Sequence, residues 1–280
     1  MQDNYYKEFA ARIRMETVKE IGVRGFGHIG GSLSIVDLFA VLYGGLMNID
    51  TKNPSWEERD RLVMSKGHAG PALYATLALK GFFPMDWLET LNQPNTHLPS
   101  HCDRFLTPGI DMTTGSLGQG VSMAIGLALG QKKRGYNSYT YLISGDGELN
   151  EGQCWEGALF APTHKLDNLI WFVDYNHKQL DGRTEEIIDL MDIAEKFKTF
   201  GWNAVNINGN DTNAINDAIK NAKSIKDIPS CIVLNTIKGA GVPCIESIGL
   251  NHHLPIDSEL LKQAIAECEA SIASLEGSEE

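Results

Sequence analysis

Basic charge is what this 280-residue sequence most conspicuously lacks. Lys and Arg number 24 against 36 Asp and Glu, a net charge of -12. No basic run is longer than Lys132, Lys133 and Arg134. That argues against a nucleic-acid partner, whose phosphates demand clustered positive charge. Cysteine is scarce as well. Cys102, Cys154, Cys231, Cys244 and Cys268 are an odd number without CxxC spacing, which disfavours a disulfide framework or a zinc ribbon and leaves reduced thiols. Long apolar runs are missing by eye, since the run of small and apolar residues over 121–130 is broken by Ser and Gly. No membrane span is expected. The first twenty residues mix both charges with a helical apolar period, unlike a secretory signal. These absences together point to a cytoplasmic protein.

What remains is ordinary globular usage, 42% hydrophobic and 21% charged, which excludes a disordered chain or a coiled coil. Phe9, Ile13 and Val18 predict a helix over 5–21, and Leu33, Val36, Leu38, Phe39 and Leu42 another over 33–46. Loops rich in Gly, His and Pro are expected over 25–31, 65–71 and 94–108, the last long enough to be functional or mobile. Short apolar runs at 62–64, 139–143, 169–173, 204–207 and 231–234 read as buried strands. Helices over 117–134, 152–161, 189–199, 212–224 and 257–272 fill the gaps. This alternation predicts an α/β fold, a doubly wound parallel sheet with helices on both faces. Neither a linker nor a repeat divides the chain, so 1–280 reads as one domain ending in a polar tail over 276–280.

The sharpest stretch is Gly145-Asp146-Gly147-Glu148-Leu149-Asn150-Glu151-Gly152, between a strand and a helix. Glycines flanking an acid at a strand's carboxyl end allow a tight turn and close approach of backbone to ligand. Asp146 would repel a phosphate there unless a divalent cation lay between them. The next strand runs into Asp174-Tyr175-Asn176-His177-Lys178, and neighbouring parallel strands end close together, so Asp146 and Asn176 can face one crevice. A carboxylate, an amide oxygen, a loop carbonyl and phosphate oxygens suit octahedral Mg²⁺. Either motif alone could be a simple turn; paired at successive strand ends they favour a site.

Gly-Asp-Gly followed about thirty residues later by Asn resembles the thiamine-diphosphate signature, and the chain as a whole resembles the N-terminal half of transketolase. The resemblance rests on Gly27-His28-Ile29-Gly30, Ser65-Lys66-Gly67-His68, Thr114-Gly115-Ser116-Leu117-Gly118-Gln119-Gly120, Gly145-Asp146-Gly147 with Glu151-Gly152, and Asn176 with Asp181-Gly182. It implies a thiamine-diphosphate-binding fold, with Asp146, Asn176 and the Lys178 carbonyl holding Mg²⁺, for which Ca²⁺ or Mn²⁺ could substitute. Gly147 would give its N–H to the diphosphate, Lys238 would offset phosphate charge, and Gly115 and Leu117 would pack against the aminopyrimidine. His28, His68, His101 and His252 would line the funnel above the cofactor, His68 and His252 also touching it, and would bind substrate hydroxyls and shuttle protons. His253 competes with His252 by a one-residue shift; His97, His164 and His177 read as structural. Glu151 would join a carboxylate network between chains. Asn251 stands where the family has Trp.

The family's activating glutamate belongs to a pyrimidine-binding domain, and only 27 residues follow His253. The resemblance therefore implies a split transketolase whose C-terminal subunit carries that domain and most sugar-phosphate contacts, in an α2β2 assembly. Apolar and small residues on nearly every side of the helix beginning at Leu117 predict burial all round, within this domain or against another subunit. The implied reaction transfers a two-carbon ketol unit from a ketose phosphate to an aldose phosphate. The alternatives are a subunit of another thiamine-diphosphate enzyme, deoxyxylulose-phosphate synthase-like or a 2-oxo acid dehydrogenase α subunit, and a non-catalytic cofactor-binding regulatory subunit.

Overall fold

Five parallel strands form the main sheet of the computed structural model, which describes residues 2–277. They are β2 (Arg61–Met64), β3 (Thr140–Gly145), β4 (Leu169–Tyr175), β5 (Asn203–Asn208) and β6 (Ser230–Asn235), ordered β2-β3-β4-β6-β5. Two further strands of two residues each, β1 (Phe26–Gly27) and β7 (Leu254–Pro255), pair antiparallel away from that sheet. The expected strands are present, each longer by one or two residues. The apolar centres of β2, β3, β4 and β6 follow from burial on both faces of a parallel sheet; β5, expected to be buried, lies at the sheet edge and buries only Ala204.

The helices are α1 (Gln2–Arg24), α2 (Ile29–Leu33), α3 (Val36–Val41), α4 (Gly70–Leu79), α5 (Gln119–Lys133), α6 (Gly152–Thr163), α7 (Thr184–Ile187), α8 (Ile193–Thr199), α9 (Thr212–Ser224), α10 (Pro243–Glu246) and α11 (Ser258–Glu276). They cover both faces. One core cluster joins Ile143, Ile170 and Phe172 to residues of α1, α3, α4, α9 and α11; the other joins Leu142, Trp171 and Val173 to α5, α6 and α8. The fold is the doubly wound parallel sheet that the alternation predicts. All five cysteines are buried and free.

Several expectations are corrected. The helix expected over 189–199 is replaced by the shorter α8, because Asp192 caps it by accepting from the Glu195 N–H at 3.0 Å. The one expected over 33–46 breaks into the end of α2, α3 and a π-helical segment, Leu42–Leu46. Helix α4 had no forecast: nearly every residue in it is buried, so it carries no amphipathic period to read. Conversely α5 is not buried all round, since Gln119, Ser122, Gly126 and Gly130 leave one face open. The segment Ile29–Leu46, with mean hydropathy 1.6, is long and apolar enough to cross a membrane, contrary to the expectation from the sequence. It is 83% buried inside the protein, as core segments of a folded domain are. Of the polar tail over 276–280, the last three residues lie outside the described part.

Candidate active site

The carboxyl ends of β2, β3, β4 and β6 deliver Lys66, Asp146, Asn176 and Lys238 to one cleft of about 280 Å³, the crevice where open α/β sheets bind ligands. Strand pairing sets this: Gly145 lies opposite Asp174, and the Asp146 N–H donates to the Asp174 carbonyl at 3.1 Å. His68, Leu117, Gly147, Lys178 and His252 line the same cleft.

Asp146 is buried and accepts from the Gly147 N–H at 2.8 Å, the His177 N–H at 2.9 Å and the Thr184 hydroxyl at 3.0 Å. Burial, with the Asp174 carboxylate beside it, pushes its carboxyl up to about 6. Asn176 donates through Nδ2 to Asp174 Oδ2 at 2.8 Å, which fixes the amide so that Oδ1 is its accepting end; that oxygen takes the Lys178 N–H at 3.2 Å. The Lys178 carbonyl accepts from Lys238 Nζ at 2.6 Å. One carboxylate, one amide oxygen and one carbonyl are hard donors, and no cluster of three His, Cys, Asp or Glu able to hold a metal occurs among the described residues. The set fits an ion such as Mg²⁺ that draws its remaining ligands from water or phosphate. Since Gly147 gives its N–H to Asp146 Oδ1 here, handing it to a phosphate requires that carboxylate to turn away.

The histidines converge from distant segments. His28 lies 5.2 Å from His68, 5.4 Å from His252, 4.6 Å from His253 and 6.2 Å from His101, ring centre to ring centre. His252 is 5.1 Å from His68 and lines the cleft, whereas His253 packs on Phe26 and is exposed. Burial and neighbouring histidines and lysines lower His28 to about 4 and His252 to about 3; His68 and His101 are lowered too, chiefly by burial. All four are neutral near pH 7. Lys238 Nζ stands 3.0 Å from His252 Nδ1, and burial pulls this lysine down to about 8 against the raising effect of Asp146 and Asp174. The other histidines are engaged elsewhere: His97 stacks on Trp87, His164 on Phe160, and His177 Nδ1 meets Glu185 Oε1 at 2.8 Å.

The predicted residues Glu151 and His101 do not line the cleft. Glu151 is exposed at the N-cap of α6 and makes no side-chain capping bond. His101 is exposed above Gly115, where φ is +140° and a side chain would press on the His101 ring.

Sequence reasoning missed an ion pair beneath the cleft. Lys66 is 2% exposed and Asp174 0%, with Lys66 Nζ 2.5 Å from Asp174 Oδ2. Asp174 also accepts from Ser34 at 2.7 Å and Thr236 at 2.5 Å. The signal was present: a base two residues past one apolar strand and an acid near the end of another, 108 positions apart. Asn251 was likewise unassigned. Its buried Nδ2 ties the Lys238 carbonyl, 2.8 Å, to the Ile245 carbonyl, 3.0 Å, and so holds the two loops that carry Lys238 and His252.

Comparison with known proteins gives this geometry a family. A 6-deoxy-6-sulfo-D-fructose transketolase subunit of Clostridium sp. (strain MSTE9) is 53% identical over 92% of this chain and 94% of its own length. An apulose-4-phosphate transketolase subunit of Phocaeicola vulgatus is 36% identical over 89% of both chains. The solved transketolase of Campylobacter jejuni superposes with a TM-score of 0.88 at 30% identity, covering 97% of this chain and 45% of that one. This chain therefore spans less than half of the solved transketolase and nearly all of the subunits. Residues 6–268 match the family described as transketolase, thiamine diphosphate binding domain, and the chain belongs to that family.

Proposed function

We propose that this chain is the diphosphate-binding subunit of a two-chain, thiamine-diphosphate-dependent transketolase. Likeness in length and sequence to proteins named as transketolase subunits is the observation that carries the reading. The cleft supports it: at about 280 Å³ it lies at the small end of cofactor pockets, as half a pocket would. Its second wall would be a C-terminal subunit with the pyrimidine-binding domain, in an α2β2 assembly.

Asp146, Asn176 and the Lys178 carbonyl would hold Mg²⁺ against the diphosphate. When bound, thiamine diphosphate would supply a nucleophilic ring carbon to the ketose carbonyl and an electron sink for the pair released when the ketose C–C bond breaks. Lys238 is a donor only, so neutral His252 accepts at Nδ1 and carries its proton on Nε2, leaving an N–H for a substrate oxygen. His28 and His68, neutral and in reach of one another, bind sugar hydroxyls and carry protons on one ring nitrogen while accepting on the other.

The substrates form a second layer of the proposal. A ketose phosphate donor and an aldose phosphate acceptor are the general case; the 53% identity to a sulfo-sugar enzyme subunit favours a donor bearing a sulfonate in place of phosphate. The test is to express this chain with and without its partner polypeptide and assay thiamine diphosphate- and Mg²⁺-dependent ketol transfer. Donors would be xylulose 5-phosphate and 6-deoxy-6-sulfo-D-fructose, with pyruvate as control. Ketol transfer in the mixture alone supports the reading; turnover of pyruvate instead, or full activity without a partner, overturns it.

A further inference from the structure

Glu148 follows the Gly145-Asp146-Gly147 turn, and neither the metal site nor the histidine wall uses it. Its side chain folds back beneath the turn and is 2% exposed. Oε2 accepts the Gly145 N–H at 3.2 Å, and Oε1 accepts the Gly118 N–H at 2.7 Å together with the Ser65 hydroxyl. No cation pairs with it directly. Two backbone N–H groups and one hydroxyl thus engage both of its oxygens and hold the side chain in place.

Those donors come from three separate segments, each next to residues that line the cleft. Gly145 ends β3 on the diphosphate side. Gly118 directly follows Leu117, the pyrimidine-side residue that lines the cleft. Ser65 directly follows β2 and precedes the buried Lys66. The segments come this close because Gly118 takes a positive φ of +83° before α5 begins, and because at Gly120 any side chain would overlap Ser65 Oγ. One carboxylate thus ties together loops separated by 30 and by 83 positions in the sequence.

We propose that Glu148 is a positioning residue that fixes the distance between the diphosphate side and the pyrimidine side of the cofactor cleft. This rests on the thiamine diphosphate reading above. A two-ended ligand gains affinity when both of its sites are held in register beforehand, because less freedom is lost on binding. A ligand that occupies one end alone gains nothing from the brace.

Glu148→Gln keeps one acceptor oxygen, and Glu148→Asp keeps the charge but is too short to reach all three donors. In the complex of this chain with its partner subunit, with Mg²⁺, the affinities of thiamine diphosphate and of inorganic pyrophosphate are measured for wild type and both variants. Hydrogen exchange over residues 114–120 is followed alongside. The expected result is a loss of about tenfold or more in thiamine diphosphate affinity for Glu148→Asp, a smaller loss for Glu148→Gln, and less than twofold change for pyrophosphate. Exchange at Gly118 should accelerate about tenfold or more. Equal losses for both ligands, or unchanged exchange at Gly118, overturns the proposal. If the variants fail to fold, Ser65→Ala, which removes one donor, should move the same ratio and the same exchange by a smaller factor, and no movement overturns it. A wild-type complex that binds pyrophosphate but not thiamine diphosphate would sink the cofactor reading, while the exchange data would still decide the brace.

Discussion

Protonation separates the cleft residues into two groups of opposite sign. His28 and His252 have folded values near 4 and 3, below the ordinary 6.5, so the stability they contribute is complete above about pH 6.5 and is lost as pH falls toward those values. The urea midpoint should therefore drop steadily from pH 7 to pH 4, and His28→Gln should flatten that drop; an unchanged slope would remove His28 from the account. Asp146, raised to about 6, runs the other way: in the absence of a cation it penalises the fold as pH rises through 4 to 6. The rise in melting temperature caused by Mg²⁺ plus thiamine diphosphate should then be larger at pH 7.5 than at pH 5, and Asp146→Asn should abolish its metal-dependent part. His28→Ala should lower sugar turnover about 10²-fold while leaving cofactor affinity within about twofold, as steady-state kinetics at saturating cofactor would register. At this scale the sequence was informative where chemistry is local. Asp146 and Asn176 were legible as strand-end residues, whereas Glu148, Lys66 and Asp174 were not, because each acts through partners that only the three-dimensional arrangement brings near.

Secondary-structure elements were legible in proportion to how strongly burial patterned them. Strands buried on both faces, such as 169–173, stand out as unbroken apolar runs, and α9 shows its one buried face through Ile215, Ile219 and Ala222. Helix α4 was illegible because it packs against α1 and α2 on several sides and has no polar face to set the period. Its contribution is measurable: Leu77→Ala should cost about 2–5 kcal/mol, read as a lower denaturant midpoint at unchanged slope. Helix α5 invites a different experiment. At Gly126, on its open face, an added side chain meets nothing within 4 Å. Gly126→Ala should raise the stability of the isolated chain by roughly 0.5–1 kcal/mol. Gly126→Trp should leave the fold intact yet weaken assembly with the partner subunit, seen as a smaller species in sedimentation; unaltered assembly would move the contact to another face.

On the scale of the whole molecule, the fold class followed from alternation alone, but the meeting of the histidines did not. His28 and His252 are joined by the β1–β7 pair, in which Phe26 lies opposite Pro255 and Gly27 opposite Leu254. Periodicity cannot announce a ladder two residues long. That ladder has a consequence for the order in which the protein is made. The main sheet is complete once β6 has been synthesised at residue 235, while the histidine wall waits for residues 252–255 to return to the chain's beginning. Contacts between such remote segments form late, because the intervening chain must be ordered before they repay its entropy. A polypeptide still emerging from the ribosome would hold a folded sheet and the proposed metal ligands Asp146 and Asn176, yet would have an open histidine wall. The cleft is thus finished by one of the last steps of folding.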